Sequence, residues 1–536
     1  MKSNRPDQHE IRRMREGYET GRLSRRHFLQ GLTAMGLTVA GASALVGSAT
    51  PAFAETPKKG GRLRLAWNST GPQDTLDPPL FSSSLDYIRG RAYYNALTRF
   101  NPDMSLRPDL AEEWSVSADG LEWTFKLRKD VKFHDGSPFT ADDAVYSMNR
   151  HLGEGSVSKM ASLVSNVAEW KKVDNHTVKA VLATPNADLP VILATFHFKI
   201  VKDGAAGDYF NMPAGTGPFK VTEFQPGIRS LGVRNEDYFG GEVYLDEIET
   251  FGITDGVARM NALLAGDVDM IGALDPKAAA QVQSADGVDL WETNTGSFSG
   301  ITFMADREPG NNPDFIMGMK LLANRPRIVE SIMQGYASVA NDHPIGPAYG
   351  ADHCSELAQR EFDADQAKHH FEKSGLSGAT IEVTELDPGI TDTCLLLQRE
   401  AQKIGFNLEV KRVPADGYWG NIWMNRPGFV TGWNMRPTAG IMMSALYKSD
   451  ASWNESVFKN EHFDALLAES QVVQDDGLRH ELHCEMQTIV HDTSSLIIPH
   501  HFNFIDAKAS KVKGTTSVAV GALGAGEWMD QVWIDS

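Results

Sequence analysis

Two histidines beside a glutamate, in His480-Glu481-Leu482-His483, are residues whose types could do metal chemistry. The zinc-protease pattern needs histidines four residues apart, so that both imidazoles share one helical face and the acid reaches the bound water. Here the spacing is three, and we predict instead a solvated face of a helix over Gly477 to Val490. The pairs His500-His501 and His369-His370 are adjacent, and adjacent side chains diverge on a strand or a helix. We therefore predict no metal site.

Two glycine-rich segments could in principle hold a nucleotide or a phosphate. Gly521 to Gly526 partly mimics a dinucleotide motif, but no βαβ unit follows it, so a surface loop is expected. Gly215 to Phe219 lacks the Lys and Ser/Thr of a phosphate loop and is predicted to be a turn entering a strand. No Gly-x-Ser-x-Gly elbow occurs, and no catalytic carboxylate pair stands out among 70 acids. The sequence predicts no catalytic residue, no cofactor and no enzyme activity.

The hydrophobic pattern of the chain alternates between strand and helix periods, which indicates an α/β fold. Predicted strands, of period two, are Gly61 to Trp67, Glu122 to Arg128, Val131 to Gly136, Phe219 to Phe224, Val243 to Phe251, Val288 to Trp291, Gly300 to Met304, Ala379 to Leu386 and Asn407 to Val413. Predicted helices are Thr140 to Met148, with Thr140 as N-cap, Asp255 to Ala265, Pro313 to Ala323, Arg325 to Met333, Asp363 to Lys373, Thr391 to Ile404, His462 to Val472 and Gly477 to Val490.

Composition excludes several classes of protein. The 536 residues are 41% hydrophobic and 23% charged, which is typical of a globular chain with two or more lobes. A formal net charge of −19 repels phosphate backbones, so nucleic acid is not an expected partner. Three cysteines, Cys354, Cys394 and Cys484, lack CxxC spacing; they indicate no cysteine zinc site and allow at most one disulfide.

The first 54 residues differ from the rest of the chain. They carry eight basic and four acidic side chains, then a weakly apolar run, and end in Ala52-Phe53-Ala54, which is typical of a signal-peptide cleavage site. Arg25, Arg26, Phe28 and Leu29 resemble a twin-arginine export signal. A general secretory signal is the alternative, but its apolar region is usually richer in Leu and Ile. We expect a soluble periplasmic protein that begins near Glu55.

The stretch from Leu106 to Val145 resembles the signature of the family 5 extracellular solute-binding proteins, through Arg107-Pro108-Asp109-Leu110, Trp123-Thr124-Phe125 and Phe133-His134-Asp135-Gly136. The resemblance continues at Gly215 to Phe219 and through the C-terminal half. It implies a periplasmic receptor for an ATP-binding cassette (ABC) importer, with a class II periplasmic-binding-protein fold of two lobes joined by two crossing strands.

By position, the resemblance places lobe I at residues 55–300, with 502–536 returning to it, and lobe II at 301–501. The crossings are expected near Gly296 to Phe303 and Ile498 to Phe504. Closure of the lobes would bury a small molecule between them without any chemical step. The implied partners are that ligand and an inner-membrane ABC permease, and the receptor is expected to be a monomer.

The resemblance also locates a binding segment. In peptide-binding members an Asp that pairs with the peptide ammonium follows a Trp, whereas this chain reads Gly432-Trp433-Asn434-Met435-Arg436-Pro437. A guanidinium repels an ammonium in a low-dielectric cleft but holds a carboxylate with two parallel hydrogen bonds. We therefore predict that Arg436 binds an acid, beside an apolar wall from Trp433 and a hydrogen bond from Asn434. The alternative is that Arg436 pairs with a neighbouring acid and only stiffens the loop.

Further candidates are weaker. Tyr418 and Trp419 could form a second aromatic wall or could be core residues, and Ser297 and Phe298 could face the cleft or belong to a plain hinge strand. Arg307 could capture a carboxylate unless its acidic neighbours neutralise it. The expected ligand is an acidic or N-modified peptide-like compound such as an opine. A metal-chelate receptor of the nickel type and an exported twin-arginine enzyme remain the alternatives.

Overall fold

The computed structural model describes residues 56–68, 70–205, 214–385, 389–414, 418–473 and 475–535. The predicted signal residues Arg25, Arg26, Phe28 and Leu29, and the expected cleavage near Ala54, lie outside these residues. Residues Lys59–Ser536 form one unit. Within the described part of the chain, no helix combines the length and the apolar character needed to span a bilayer.

Thirteen helices occur in the described residues: α1 (Ser84–Tyr93), α2 (Ala141–Asn149), α3 (Leu189–Leu193), α4 (Gly256–Ala265), α5 (Ala279–Gln283), α6 (Pro313–Leu322), α7 (Arg325–Arg327), α8 (Ala364–Ser374), α9 (Ile390–Lys403), α10 (Tyr418–Asn421), α11 (Ala439–Tyr447), α12 (Glu461–Ser470) and α13 (Asp476–Thr493). A π-helical turn, Ile328–Ile332, continues α7. Short 3₁₀ turns include Pro347–Asp352 and Leu523–Gly526.

The strands of the described residues are β1 (Arg62–Trp67), β2 (Thr98–Phe100), β3 (Leu106–Pro108), β4 (Ala111–Val116), β5 (Glu122–Leu127), β6 (Val167–Asp174), β7 (Thr177–Leu182), β8 (Phe219–Gln225), β9 (Arg229–Arg234), β10 (Glu247–Gly252), β11 (Met270–Ile271), β12 (Val288–Thr293), β13 (Phe298–Phe303), β14 (Ala337–Val339), β15 (Gly378–Val383), β16 (Asn407–Arg412), β17 (Gly428–Trp433), β18 (Leu496–Phe502), β19 (Phe504–Ala509), β20 (Val512–Lys513) and β21 (Trp533–Ile534).

Two large sheets organise the chain. The first sheet has the order β12-β19-β11-β1-β10-β9-β8, and the second has the order β14-β18-β13-β17-β15-β16. Both mix parallel and antiparallel pairs: β1 runs parallel to β10 and β11, and β15 runs parallel to β16. A smaller sheet, β4-β5-β7-β6, packs with α2 and α3 around its own apolar core. The α/β class expected from the alternating periods is therefore confirmed.

The chain passes between the two large sheets twice. It leaves the first sheet after Thr293 and enters the second at Phe298; it returns at Asn503, between β18 and β19. Strands β13 and β18 are paired neighbours in the second sheet. Each large sheet has separate apolar clusters, so each packs its own helices. The lobe boundaries predicted at 300/301 and 501/502 stay a proposal.

Local capping signals work as the sequence predicted. The Thr140 side chain and that of Asp143 form a reciprocal capping box at the start of α2. Asp255 and Asp363 accept backbone N–H bonds at the starts of α4 and α8. These side chains satisfy amide groups that have no partner inside the helix, which is why helix starts are readable from sequence.

Three local predictions are wrong. Val131 to Gly136 is not a strand: the chain reverses at once, with the Gly136 N–H donating to the Phe133 carbonyl, so only one bridge forms, Lys132 to Pro138. Gly521 to Gly526 is not a surface loop, since Leu523 to Gly526 are buried and Leu523 accepts a hydrogen bond from the Trp528 indole. His483 is not solvated: it is buried and lies 3.1 Å from an Asp352 oxygen.

One disulfide joins distant parts of the chain. Cys354 follows the 3₁₀ turn Pro347–Asp352 and is bonded to Cys484 on α13. Cys394 is a free, buried thiol on α9. The sequence limit of one bridge holds, and the bridge fixes the turn against α13.

Candidate functional site

A cavity separates the helices and loops of the first sheet from the segment that follows β17. About 640 Å³ of empty space, part of it open to solvent, lies here. Asn434 to Pro437 line one side, and the other side is formed by first-sheet elements that include Tyr87, Phe196, His197 and Val520. The cavity brings together residues more than 200 positions apart in the chain.

Arg436 is the charged group that the second-sheet side presents to this cavity. Its guanidinium carbon lies 5.5 Å from the centre of the Trp433 ring and 6.0 Å from that of Trp453. Burial lowers its pKa, and the groups that act in the opposite direction are the hydroxyls of Tyr349 and Tyr87. No carboxylate of the described residues pairs with it. An arginine stays charged in a protein, so this cation faces the cavity without a counter-ion.

The loop that carries Arg436 is held by hydrogen bonds from three sides. The Ser297 hydroxyl accepts from the Met435 N–H at 2.9 Å, and the Tyr349 hydroxyl accepts from the Arg436 N–H at 3.2 Å. Asp352 accepts from the Ala439 N–H at 3.2 Å, at the start of α11. These bonds fix the backbone and leave the guanidinium as the free end of the loop.

The opposite wall is aromatic. Tyr87 on α1 stacks on Phe196 with ring centres 4.4 Å apart, and His197 contacts the Tyr87 ring edge at 5.4 Å. His197 Nε2 is 2.9 Å from the carbonyl of Phe81, and burial lowers the pKa of the imidazole to about 4. This histidine is therefore neutral at neutral pH. The wall offers flat apolar surface without adding positive charge beside Arg436.

Glu527 also borders the cavity, but its carboxylate is already paired. It contacts Arg91, and Arg99 Nε donates to it at 2.6 Å. Burial alone would raise its pKa, yet the two arginines hold the pKa below its ordinary value. Glu527 therefore does not neutralise Arg436.

The two sides of the cavity touch at its rim. The Thr438 hydroxyl donates to the Asp188 carboxylate at 2.8 Å, and the Ala187 N–H donates to the Gln471 carbonyl at 3.0 Å. Ile441 of α11 packs into the core of the smaller sheet. Asp188 thus joins the first-sheet and second-sheet parts.

The structure brings some predicted site residues to the cavity. Asn434 is exposed and lines it together with Arg436. Trp433 is buried and does not line the cavity; its ring packs against the Arg436 guanidinium on the side away from the cavity. Ser297 is buried and acts through the backbone of the binding loop, and Phe298 packs in the core of the second sheet. The expectation that Phe298 faces a ligand is corrected by this packing.

Tyr418 and Trp419 do not form a second wall of the cavity. The Tyr418 hydroxyl donates to the Val430 carbonyl at 2.8 Å and accepts from the Val430 N–H, which locks the ring in the core on one face of the second sheet. Trp419 is 53% exposed and contacts Trp423 on the surface. Arg307 is exposed and paired with Asp306 at 2.7 Å. The neighbouring acid neutralises it, as the alternative anticipated.

The cavity wall from the first-sheet part was missed by sequence reasoning. Tyr87, Phe196 and His197 follow no motif, and only the fold places them opposite Arg436. The departure of Arg436 from a family pattern was the one readable signal.

Comparison with known proteins supplies the family. The model described as bacterial extracellular solute-binding proteins, family 5 Middle, matches residues 105–454, which is more than half of the chain. The chain belongs to this family. It is a solute-binding protein of family 5, as the resemblance predicted.

Curated relatives extend the match over most of the sequence. The chain is 26% identical to heme-binding protein A of Haemophilus influenzae over 501 residues, covering 83% of this chain and 90% of that protein. It is 25% identical to the dipeptide-binding protein of Escherichia coli over 498 residues, covering 84% and 91%. Both are binding proteins by name, and this chain is similar in length to both.

Solved structures share the fold. The periplasmic binding protein DppA of Helicobacter pylori, in complex with the peptide STSA, matches with a TM-score of 0.77 at 22% identity, covering 89% of this chain and 99% of that one. AgaA from A. tumefaciens R10, in complex with agropinic acid, matches with a TM-score of 0.76 at 24% identity, covering 89% and 99%. The predicted two-lobed periplasmic-binding-protein fold is confirmed.

Proposed function

We propose that this family 5 protein captures a small peptide-like molecule that bears a carboxylate, with Arg436 as the anchor of the acid, and delivers it to an ABC permease. The observation that carries the proposal is a half-buried guanidinium that faces a cavity with no acidic partner among the described residues. Removing a charge from water without a partner is costly, so such a group is expected to find its counter-ion in the ligand.

The surroundings of Arg436 suit a flat acid better than a cation. The Trp433 and Trp453 rings already contact the guanidinium, and the aromatic pair Tyr87 and Phe196 provides apolar surface across the cavity. Asn434 can donate to or accept from a polar group beside the acid. An unblocked α-ammonium next to Arg436 would meet repulsion at low dielectric.

The names of related proteins are compatible with this ligand class. The structure of AgaA contains agropinic acid, and other relatives are named for dipeptides and heme. We propose an opine or another amino-acid conjugate as the ligand, with the ordinary dipeptide as a weaker candidate.

Delivery completes the proposed role. We propose that residues 1–54 are a twin-arginine signal, that the mature chain begins near Glu55, and that it works in the periplasm as a monomer without catalysis. Lobe I would comprise residues 55–300 and 502–536, and lobe II residues 301–501. Closure across the Asp188–Thr438 contact would present the loaded form to the permease.

A thermal-shift screen of the mature chain tests the ligand class. Ligands that bind only the folded state raise its melting temperature by mass action. We expect shifts with opines, N-acetylated dipeptides and other amine-blocked carboxylates, and no shift with the same compounds as amides. Shifts with free dipeptides alone would contradict the role of Arg436.

A nickel or iron chelate is a second ligand class, which the screen separates. A chelate held by carboxylates of its organic part would shift the melting temperature only when metal and chelator are added together. An amine-blocked acid would act without metal. A shift that requires the metal would replace the proposed ligand with a chelate.

A further inference from the structure

The disulfide region contains more metal-ligating groups than a disulfide needs. Among the described residues, Cys354, Glu356 and Cys484 bring their sulfur and oxygen atoms within 4.8 Å of one another. Glu356 Oε2 lies 3.7 Å from the Cys354 sulfur and 3.9 Å from the Cys484 sulfur. The family relationship and the candidate cavity do not account for this carboxylate.

A fourth group, the imidazole of His480, completes the cluster. His480 precedes Cys484 by four residues on α13, so both side chains share one helical face. Its Nε2 lies 3.5 Å from the Cys484 sulfur and 3.8 Å from Glu356 Oε2. The cluster thus offers two sulfurs, one nitrogen and one oxygen.

The orientation of His480 is already that of a metal ligand. Its Nδ1 lies 2.7 Å from the Ala351 carbonyl, which can only accept, so Nδ1 carries the proton and Nε2 keeps a lone pair. Metal-bound histidines commonly donate their second ring nitrogen to a carbonyl in this manner, which fixes the tautomer and the ring. In the neutral imidazole this lone pair faces the Cys484 sulfur and the Glu356 carboxylate.

Four of the six ligand-to-ligand distances match a tetrahedral site. With zinc–sulfur bonds of about 2.3 Å and zinc–nitrogen or zinc–oxygen bonds of about 2.0–2.2 Å, ligand atoms stand about 3.4–3.8 Å apart. The four distances quoted above run from 3.5 to 3.9 Å. Two distances differ in the oxidised protein. The sulfurs are bonded to each other, and His480 is outside the group of three residues whose ligand atoms all lie within 4.8 Å of one another, so the Cys354 sulfur must move toward His480 on reduction.

We propose that the reduced Cys354/Cys484 pair, with Glu356 and His480, binds a thiophilic divalent cation such as Zn²⁺, and that the disulfide and the metal are mutually exclusive. A dithiol reductant supplies two electrons and two protons: the S–S bond breaks, two thiols form, and the reductant becomes a disulfide. The cation then displaces both thiol protons and binds the two thiolates.

Either link would keep the same loop in place. The turn Pro347–Asp352 carries Tyr349 and Asp352, which hold the backbone at Arg436 and Ala439. A bond from Cys354 to α13, covalent or through a metal, fixes that turn. Glu356 is 71% exposed and His480 one-third exposed, so an ion can enter from solvent.

Cobalt titration of the whole purified chain tests the proposal. The protein is reduced anaerobically with a phosphine, which becomes the phosphine oxide with oxygen from water, and is then desalted. We expect the reduced protein to bind one Co²⁺, with thiolate-to-cobalt charge-transfer absorption and tetrahedral visible bands that Zn²⁺ abolishes. The oxidised protein, an identical polypeptide, should show neither.

Variants identify the ligands. Cys484→Ser should lose the charge-transfer band of the two-thiolate site, and His480→Ala should weaken binding about tenfold or more. Cys394→Ser removes the buried thiol of α9, and His369→Ala removes an exposed histidine of α8; both should bind Co²⁺ as the wild type does.

Several results would overturn the proposal. They are absence of charge-transfer absorption in the reduced protein, an unchanged spectrum in Cys484→Ser, or equal affinity in His480→Ala and His369→Ala. Loss of the near-ultraviolet circular dichroism on reduction, without recovery on adding Zn²⁺, would also contradict it, because the four ligands must then be held only by the disulfide.

Discussion

The first-sheet and second-sheet sides of the cavity surround their arginines differently. On the first-sheet side Arg99 donates to Glu527 and to both oxygens of Asp530, at 2.6–2.9 Å. On the second-sheet side of the cavity Arg436 has only aromatic neighbours and hydroxyls nearby. The first arrangement is complete without a ligand. The second has no anion among the described residues, which is why we propose that it binds the ligand.

The largest expected effect is a loss of stability when the ion pairs of Arg99 with Glu527 and Asp530 are broken. Arg99→Ala leaves Glu527 and Asp530 buried without that partner, so the free energy of unfolding should fall by about 3–5 kcal/mol. Urea unfolding followed by circular dichroism measures it. Arg307→Ala, which removes an exposed ion pair, is the control and should leave the free energy of unfolding unchanged within error. Equal losses of stability in the two variants would contradict the claim that the Arg99 ion pairs stabilise the fold.

Arg436→Ala should have little effect on stability and a large effect on ligand affinity. The free energy of unfolding should change by less than about 1 kcal/mol, since the fold supplies no anion to leave unpaired. Affinity for the ligand found in the screen should fall by about 2–4 kcal/mol, or roughly 30- to 1,000-fold. Arg436→Lys keeps the charge but loses the bidentate geometry, and should give an intermediate affinity. Isothermal titration calorimetry measures both variants.

His500 extends the comparison of buried bases: unlike an arginine, a buried histidine can lose its proton and become neutral. Neither ring nitrogen has a hydrogen-bond partner among the described residues, and burial lowers the pKa of the imidazole to about 4. Protons therefore bind the unfolded chain preferentially between about pH 4 and 6.5, and stability falls as the pH falls through that window.

At pH 5.5 the wild type should have lost about 1 kcal/mol more than His500→Leu, each compared with itself at pH 7.5. Unfolding curves at the two pH values measure this difference. His369→Leu, on the surface, is the matched control and should follow the wild type. Parallel pH profiles for His500→Leu and the wild type would show that His500 is not neutral by burial.

The smallest expected effect concerns the rim of the cavity. Thr438→Val removes the hydroxyl that donates to Asp188 and caps α11, so the closed form should lose about 1 kcal/mol and ligand affinity should fall less than tenfold. Thr438→Ser keeps the hydroxyl and should bind normally. Faster ligand dissociation in stopped-flow experiments would locate the loss in opening. An unchanged dissociation rate would remove Asp188–Thr438 from the closing contacts.

Local signals in the sequence predicted much of the fold. Caps such as Thr140 and Asp363 act within a few residues, so they are readable without tertiary context. The turn at Val131 to Gly136 was predicted as a strand because its side chains alternate, whereas the chain reverses at Gly136 and forms one bridge.

The site was only half predictable. Arg436 departs from a family pattern and so could be singled out, whereas Tyr87 and Phe196 reach the cavity through the packing of the fold. Tyr418 fits a wall or a core equally well in sequence; its hydrogen bonds with Val430 decide for the core. His480 was compared with His483, although its partner on the helical face is Cys484, four residues on.

The most direct test of the ligand proposal is a calorimetric titration of the wild-type chain with the best acid from the screen and with its primary amide. If Arg436 awaits a carboxylate, the acid should bind at least about 30-fold more tightly than the amide, a difference of about 2 kcal/mol. Equal affinities would contradict the central claim and would make Arg436 a structural residue.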